Sequence, residues 1–223
     1  MSNIKYCQRK FYNKWLYKVT IDLQGGGIFR LYPLEKVIEF CIEPVVERSR
    51  WGTLKDASRN SKNILKVAMF FDKNKDKGFN KRIEGNSTDL YTNDKEFYKE
   101  MYEHFENMVI HAFEPMPGYE DKIADSQEII TTKLPHNKYL YKVYLAPHKL
   151  KGDLDKKIKF LDWITGQGDK IRMSEAVKKW FIKTDFNWDR RYVLVEDEKT
   201  LLLLKLRGSD ALGRIYSYHL VDK

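Results

Sequence analysis

The chain has 223 residues, which is enough for one large domain or two small ones. Hydrophobic residues make up 42% of it and charged residues 33%, a balance that excludes a disordered chain and indicates a folded protein. Lys and Arg (41) outnumber Asp and Glu (32), and the resulting net charge of +9 favours a polyanionic partner or, equally, a well-solvated surface.

Cys7 and Cys41 are the only cysteines, which is too few for a secreted disulfide scaffold or a zinc ribbon. The N-terminal residues lack the apolar segment of a secretion signal, and no apolar run approaches the ~18 residues of a membrane-spanning helix. The five histidines lack metal-ligand spacing, so we expect neither a metal site nor a cofactor. These features predict a cytoplasmic protein, in the host cytoplasm if the chain is viral, with no membrane partner.

A heptapeptide occurs twice in the chain and predicts an internal duplication. Residues 13–19 read NKWLYKV and residues 137–143 read NKYLYKV, so one aromatic-for-aromatic change separates the copies. Self-similarity of this kind is typical of repeated structural units. A chain rich in Lys, Asn and Tyr also produces short matches by chance, and the similarity outside the heptapeptide is faint.

The first unit is predicted over residues 1–114, with an extra hairpin and a basic loop. Alternating residues from 15 to 22 predict a strand that turns Trp15, Tyr17 and Val19 towards the core. The glycine triplet that follows predicts a hairpin with residues 28–32 as its second strand. The remaining predicted elements are a helix over 34–42, a less regular helix over about 53–62, a buried strand over 64–71, an exposed basic loop over 72–82, a helix capped by Asp94 and a strand over 108–113.

A polar stretch with several prolines predicts a linker over residues 115–136, and the second unit follows over 137–223. It opens with the repeated strand. Its other predicted elements are helices over 154–165, about 174–183 and 198–207 and strands over 190–196 and 214–221. Residues 198–207 are read as a helix because, like 94–104, they follow an acidic turn after an extended segment.

The order of these elements predicts the fold class. Both units read as strand, helical segment, strand, helix and strand. This order predicts an α+β protein made of two related ferredoxin-like (split βαβ) units that arose by internal duplication. Many small modules that bind RNA or DNA share this plan, although a fold by itself does not fix a function.

One acidic stretch matches the outline of a nuclease site. Asp189 precedes a strand, and Asp197, Glu198 and Lys199 follow it, as in sites where carboxylates hold Mg²⁺. The same acidic turn is also what an ordinary helix cap requires. The glycine triplet lacks the Gly-Lys-Ser/Thr of a phosphate-binding loop, and no other catalytic motif is present. We therefore assign no catalytic residue and regard a Mg²⁺-dependent nuclease as a second alternative.

Basic and aromatic residues interleave in both repeated strands, which favours a nucleic-acid-binding or processing accessory protein. Single-stranded nucleic acid is the favoured partner, because aromatic rings on a sheet can stack with unpaired bases. The alternative is a structural or assembly protein of a phage or other large particle, with protein partners. The residues expected on a continuous basic surface are Lys18, Arg30, Lys73, Lys75, Lys77, Lys81, Arg82, Lys142 and Tyr144.

Overall fold

The computed structural model describes residues 4–42, 59–125, 128–183 and 191–221. Within these ranges the chain is α+β, with two five-stranded mixed sheets and eight α-helices, which confirms the predicted class. The chain divides into two compact units, Met1–Glu120 and Asp121–Lys223. None of the helices in the described ranges has both the length and the apolar character needed to cross a membrane.

The first unit contains one sheet in the order β1-β5-β2-β4-β3. Strand β1 runs parallel to β5, and the other neighbours are antiparallel. Its elements are β1 (Ile4–Cys7), β2 (Tyr17–Asp22), α1 (Ile28–Leu31), α2 (Leu34–Ile42), α3 (Ser61–Lys73), β3 (Phe79–Glu84), β4 (Ser87–Thr92), α4 (Lys95–His104) and β5 (Val109–Pro115).

The second sheet has the order β6-β10-β7-β9-β8, with β6 parallel to β10 and the other neighbours antiparallel. The elements after β5 are α5 (Glu120–Asp125), β6 (Glu128–Thr131), β7 (Tyr141–Leu145), α6 (Leu154–Gly166), β8 (Ile171–Arg172), α7 (Glu175–Lys183), β9 (Tyr192–Val195), α8 (Glu198–Gly208) and β10 (Leu212–Leu220). Counted within each sheet, both have the order first, fifth, second, fourth and third with the same directions. The architecture is therefore compatible with two similar units.

The turns that lead into the two heptapeptides have the same unusual backbone. Tyr12 and Asn13 have φ of 54° and 59°, and His136 and Asn137 have φ of 52° and 57°. Positive φ at two successive residues other than glycine is uncommon, because the Cβ atom crowds the backbone there. The backbone therefore repeats as well as the sequence.

The hydrogen bonds of these turns repeat too. The Trp15 N–H donates to the Phe11 carbonyl at 3.0 Å, and the Tyr139 N–H donates to the Pro135 carbonyl at 3.2 Å. Two residues later the chain enters β2 in one unit and β7 in the other. Both heptapeptides thus end in equivalent strands, as predicted, but each of these is the second strand of its sheet and not the predicted first.

The alternation of residues in β2 and β7 also predicted correctly which face of each strand is buried. Val19 and Val143 are fully buried, Tyr17 is buried, and Tyr141 is half-buried. Burying an apolar side chain of this size stabilises a fold by about 1.5–3 kcal/mol. The alternate residues of β2 and β7 lie on the opposite face of each sheet, where the candidate site is found.

The helices cover one face of each sheet. In the first unit, α3 and α4 pack through aromatic rings: the centroids of Phe70 and Phe97 are 5.8 Å apart, and those of Phe70 and Phe105 are 4.9 Å apart. In the second unit, Phe160 of α6 contacts Phe181 of α7, with centroids 5.5 Å apart. Each sheet therefore has its own hydrophobic core.

Residues 28–32 do not form the predicted hairpin strand. Three successive N–H groups, beginning with that of Ile28, donate to the carbonyls of the glycine triplet and start helix α1. Both edges of β2 are already paired, one with β4 and the other with β5. No free edge of β2 remains for a hairpin partner, and the prediction is wrong for this reason.

Residues 64–71 belong to helix α3 and not to a buried strand. Ile64, Val67, Ala68 and Phe71 have helical spacing and are buried, while Met69 is exposed. The segment is apolar on nearly all sides, and such a run does not reveal its period. The less regular helix predicted over 53–62 lies mostly outside the described residues.

Two segments predicted as irregular contain regular structure. The second half of the basic loop at 72–82 enters β3, and Phe79 packs against Phe71 and Phe97 with centroids 5.7 Å away in both cases. The segment 115–136, predicted as a linker, contains α5 and β6, and β6 pairs with β10 in the second sheet. Strand β6 depends on a partner far along the chain, whereas β3 forms a hairpin with β4 across the two-residue turn Gly85–Asn86.

Candidate nucleic-acid interface

Each sheet has a face opposite its helices, and strand register brings chemically related side chains together there. Directly paired residues of neighbouring strands point to the same face. The first outer face consists of Lys18, Thr20, Asp89, Tyr91 and Phe113. The second outer face has at the equivalent positions Lys142, Tyr144, Tyr192, Leu194 and Tyr216.

On the first outer face the lysine has an internal counter-ion. Lys18 Nζ lies 3.5 Å from Asp89 Oδ1 and 4.6 Å from the centroid of the Phe113 ring. The Thr20 hydroxyl donates to Asp89 at 2.6 Å and the Tyr91 hydroxyl at 2.7 Å. Burial, followed by the hydrogen bond to Asp89, raises the pKa of Tyr91 well above its ordinary value. This network fixes Lys18 and neutralises its charge.

The turn before the first heptapeptide covers the same face. The Phe11 ring lies 5.9 Å from Tyr91 and 5.6 Å from Phe113, and the Tyr12 ring lies 5.5 Å from Tyr91. Arg82 contacts the Tyr12 hydroxyl and Glu84. The protein's own aromatic rings thus occupy the surface on which a base could stack.

The second outer face holds its lysine between aromatic rings. Lys142 Nζ lies 3.9 Å from the centroid of Tyr192 and 5.3 Å from that of Tyr144. The Tyr144 ring meets Tyr192 at 5.8 Å and Tyr216 at 5.9 Å, both edge to face. Tyr192 stands at the position of Asp89, and Lys142 forms no ion pair within the described residues. No carboxylate of the described residues therefore balances the charge of Lys142.

Within the described residues, no aromatic turn covers this face as one covers the first, but two of its side chains, Leu194 and Tyr216, are buried. The residues equivalent to Phe11 and Tyr12 are Pro135 and His136, and the His136 ring lies against Tyr139 at 6.0 Å. Tyr192 keeps 41% of its surface exposed. An aromatic ring and a cation are thus presented side by side.

Comparison with protein-family models, with curated proteins and with solved structures found no match.

The other predicted contact residues do not extend these faces. Arg30 is exposed on helix α1, so its predicted position on a sheet is wrong. Lys77 lies 2.5 Å from Glu100 and 4.4 Å from the Phe97 ring, both on α4. Lys81 lies 4.5 Å from the ring of Phe71, and burial lowers its pKa. Lys77 and Lys81 are therefore on the helical side of the first sheet.

Lys73 and Lys75 also belong to this helical side. Lys73 is the last residue of α3, and Lys75 lies 4.0 Å from Asp72 just beyond it. Of the predicted cations in the first unit, only Lys18 and Arg82 share the outer face. The expected continuous surface from strand to loop is not formed within this unit.

Sequence reasoning did not identify Tyr192 and Tyr216, the aromatic neighbours of Lys142. Both lie in segments correctly predicted as strands. The missing information is the register of strand pairing. It places Tyr216 of β10 and Tyr192 of β9 on either side of Lys142 in β7.

In the acidic stretch that suggested a nuclease site, Asp197 has a structural role as a helix cap. The Asp197 carboxylate accepts the Thr200 N–H at 2.7 Å and caps α8, and this backbone hydrogen bond is the main cause that lowers the pKa of Asp197. Asp189 lies outside the described residues. Within the described ranges, no three His, Cys, Asp or Glu side chains are grouped as they would be to hold a metal ion.

Replacing Asp197 with alanine should lower the free energy of unfolding by about 0.5–2 kcal/mol at neutral pH, because α8 loses its cap. A carboxyl with a lowered pKa contributes full stability above its unfolded-state pKa of about 3.9 and loses that contribution as the pH falls through the folded-state pKa. The penalty of Asp197→Ala in urea unfolding should therefore shrink below about pH 4. Asp197→Asn is the control that keeps a capping oxygen. A penalty that does not change with pH would contradict the capping role.

Proposed function

We propose that this protein binds single-stranded nucleic acid through the second outer face. The observation that supports this function best is the position of Lys142 between the rings of Tyr144 and Tyr192, with Tyr192 41% exposed and, among the described residues, no carboxylate paired with the lysine. A phosphate needs a cation, and an unpaired base needs a flat ring on which to stack. The net charge of +9 adds long-range attraction for such a polymer.

The first outer face has a different role in this proposal. Asp89 neutralises Lys18, and the rings of Phe11 and Tyr12 cover the sheet. In this proposal the first unit does not bind the nucleic acid through its outer face. This division assigns binding to Lys142 and Tyr144 among the predicted residues and adds Tyr192.

We further infer that each unit is a ferredoxin-like module extended by one edge strand, and that the two arose by duplication. Without β1, the first unit reads β2, helices, β3, β4, α4 and β5 with sheet order β5-β2-β4-β3, the arrangement of a split βαβ unit. The equivalent caps Asp94 and Asp197 each precede the helix that leads to the last strand. Cytoplasm, of a cell or of a viral host, is the compartment that suits this function.

Replacing Tyr192 with alanine should weaken binding to a fluorescein-labelled oligo-dT by about 1–3 kcal/mol, because one stacking surface is lost. Replacing Lys142 with alanine should reduce the slope of log affinity against log salt by about 0.7, because one phosphate contact is lost. Fluorescence anisotropy over a series of salt concentrations measures both effects.

Lys18→Ala is the matched control, since it removes the equivalent lysine of the covered face and should leave affinity unchanged. Circular dichroism and thermal unfolding of each variant show whether its fold is intact. Affinity unchanged in both Tyr192→Ala and Lys142→Ala, or no binding by the wild-type protein at low salt, would refute the proposal.

A second candidate function is that of a structural or assembly protein of a large particle. The observation that favours it is a set of three exposed leucines on α8, namely Leu202, Leu203 and Leu206. Contacts between apolar surfaces are much less sensitive to salt than phosphate contacts are. The salt series described above therefore also separates the two candidates. We do not propose the nuclease alternative, because Asp189 lies outside the described residues and Asp197 caps a helix.

A further inference from the structure

Arg172 lies on the second outer face, in the edge strand β8. It is directly paired with Leu194 of β9, and Leu194 is directly paired with Lys142 of β7. Directly paired residues point to the same face, so Arg172 and Lys142 share the outer one. The arginine is exposed and forms no ion pair within the part of the chain that the structure describes. The face therefore has a second cation, which the sequence did not single out.

Arg214 reaches the same face beside a bulge in β10. Residues 212–215 of β10 lie opposite residues 143–145 of β7, so β10 has one extra residue there. Arg214 stands two positions before Tyr216, so the two side chains point to the same face, with Arg214 beside Tyr144. It is exposed, and among the described residues it has no carboxylate partner. Arg214 is thus a third cation on this face.

The first unit has the same bulge, in β5, but neither arginine. His111 occupies the position of Arg214, two residues before the strand partner of the heptapeptide lysine. Asn80 occupies the position of Arg172, in the edge strand and in line with the same lysine. The fold therefore forms without an arginine at either position, and the two arginines are a property of the second outer face.

The two arginines mark the ends of a path across the neighbouring strands β8, β9, β7 and β10. Tyr192 of β9 lies diagonally opposite Arg172 and directly opposite Tyr144 of β7. Tyr144 in turn lies beside Arg214, and Lys142 lies between the two tyrosine rings. Three strand spacings of about 4.8 Å separate the ends of the path, or about 14 Å in all. Cations and aromatic rings thus alternate along it.

We propose that Arg172 and Arg214 bind phosphates of one nucleic-acid strand, which crosses the sheet from β8 to β10. Lys142 binds a phosphate between them, and the intervening bases stack on Tyr192 and Tyr144. The ligand is then a strand with at least three phosphates and not a single nucleotide. Phosphate contacts carry no sequence information, so strands of unrelated sequence bind about equally. This inference rests on the nucleic-acid binding proposed above and gives the ligand its path and its minimum length.

Salt titration of oligo-dT binding tests both arginines. Arg172→Asn and Arg214→His install the residues of the first unit, and at pH 8 the histidine is neutral. Each variant should reduce the slope of log affinity against log salt by about 0.7 and the affinity at 0.1 M salt by about fivefold, because one phosphate contact is lost. The double variant should lose about 1.4 of the slope. Fluorescence anisotropy with the labelled oligo-dT measures these changes.

Arg207→Asn is the matched control, because it removes one exposed positive charge from α8, on the helical side of the same unit. Its slope should equal that of the wild type. Lysine in place of Arg172 or Arg214 keeps the charge and should keep the slope. Circular dichroism and thermal unfolding show whether each variant is folded.

The outcomes separate this inference from the proposed function. A slope unchanged in Arg172→Asn or in Arg214→His, while Lys142→Ala and Tyr192→Ala still weaken binding, would overturn the path and leave the proposed function standing. An equal loss of slope in Arg207→Asn would also overturn the path, since the effect would then be one of net charge. A wild-type chain that does not bind oligo-dT at low salt would overturn both.

Discussion

Phe105→Ala should lower the free energy of unfolding of the first unit by about 3–5 kcal/mol, the range for truncating a fully buried aromatic side chain. Phe105 has no exposed surface and follows directly after α4. Its ring centroid lies 4.9 Å from that of Phe70 and 4.7 Å from that of His104. A cavity left there borders the buried Phe70 ring, which is itself stacked on Phe97, so the cost should fall within this range.

Urea unfolding gives the total change, and hydrogen exchange shows where protection is lost. Because each sheet has its own core, faster exchange is expected in β2 and β4 and not in β7 and β9. Leu31→Ala, which truncates an exposed leucine of the same unit, should cost no more than about 0.5 kcal/mol. A loss under about 1 kcal/mol for Phe105→Ala would show that this ring is not central to the core.

Gly208→Ala should destabilise the second unit by about 1–3 kcal/mol. In the interior of an exposed helix, the same change would instead stabilise that helix by up to about 1 kcal/mol. A Cβ atom on Gly208 would lie 2.1 Å from Cε2 of Phe160. The Phe160 ring is itself buried and packs against the fully buried Phe181. The buried ring cannot shift without disturbing this packing, so we expect the clash to outweigh the gain in helix propensity.

A double-mutant cycle with Phe160→Leu checks the cause. The smaller side chain leaves room for the new methyl group, so Gly208→Ala should cost much less in the Phe160→Leu background than in the wild type. Urea unfolding of the four proteins gives the coupling energy. Equal costs in both backgrounds, or a gain in stability in the wild-type background, would contradict the proposed clash.

These two sites are the same position in the two units. Phe105 and Gly208 each stand eleven residues after the capping aspartate of their helix. In the first unit the Phe105 ring itself fills the space, and in the second unit Phe160 of α6 fills it. A comparison of the two halves by sequence alone aligns Phe with Gly here, which explains part of the faint similarity outside the heptapeptide.

Elements with a complete local signal were predicted from the sequence. Strands β2 and β7 alternate with period two, and α4, α6 and α8 each begin after an aspartate that caps them. Strands β1 and β6 have four residues each and exist through pairing with β5 and β10, so the local sequence has little signal for them. Helix α3 was misread because its apolar run hides the helical period.

The candidate site was predictable to the extent that it depends on a single strand. The alternation in β7 correctly sets Lys142 and Tyr144 on the outer face. Whether such a lysine meets a carboxylate, as Lys18 meets Asp89, or a ring, as Lys142 meets Tyr192, depends on the register with the neighbouring strand. That register is set by tertiary pairing, which no local pattern encodes.

The parallel pairing of β1 with β5 has a consequence for biosynthesis. Paired residues such as Ile4 and Ala112 stand 108 positions apart, and Glu128 and Ser217 in the second sheet stand 89 apart. At roughly 5–20 residues per second of translation, β1 leaves the ribosome on the order of 5–20 s before its partner exists. During that time its backbone groups have no strand to pair with, and such a nascent edge is a ready template for another chain. The short length of β1 and the lysine within it limit that hazard while the rest of the sheet is still being made.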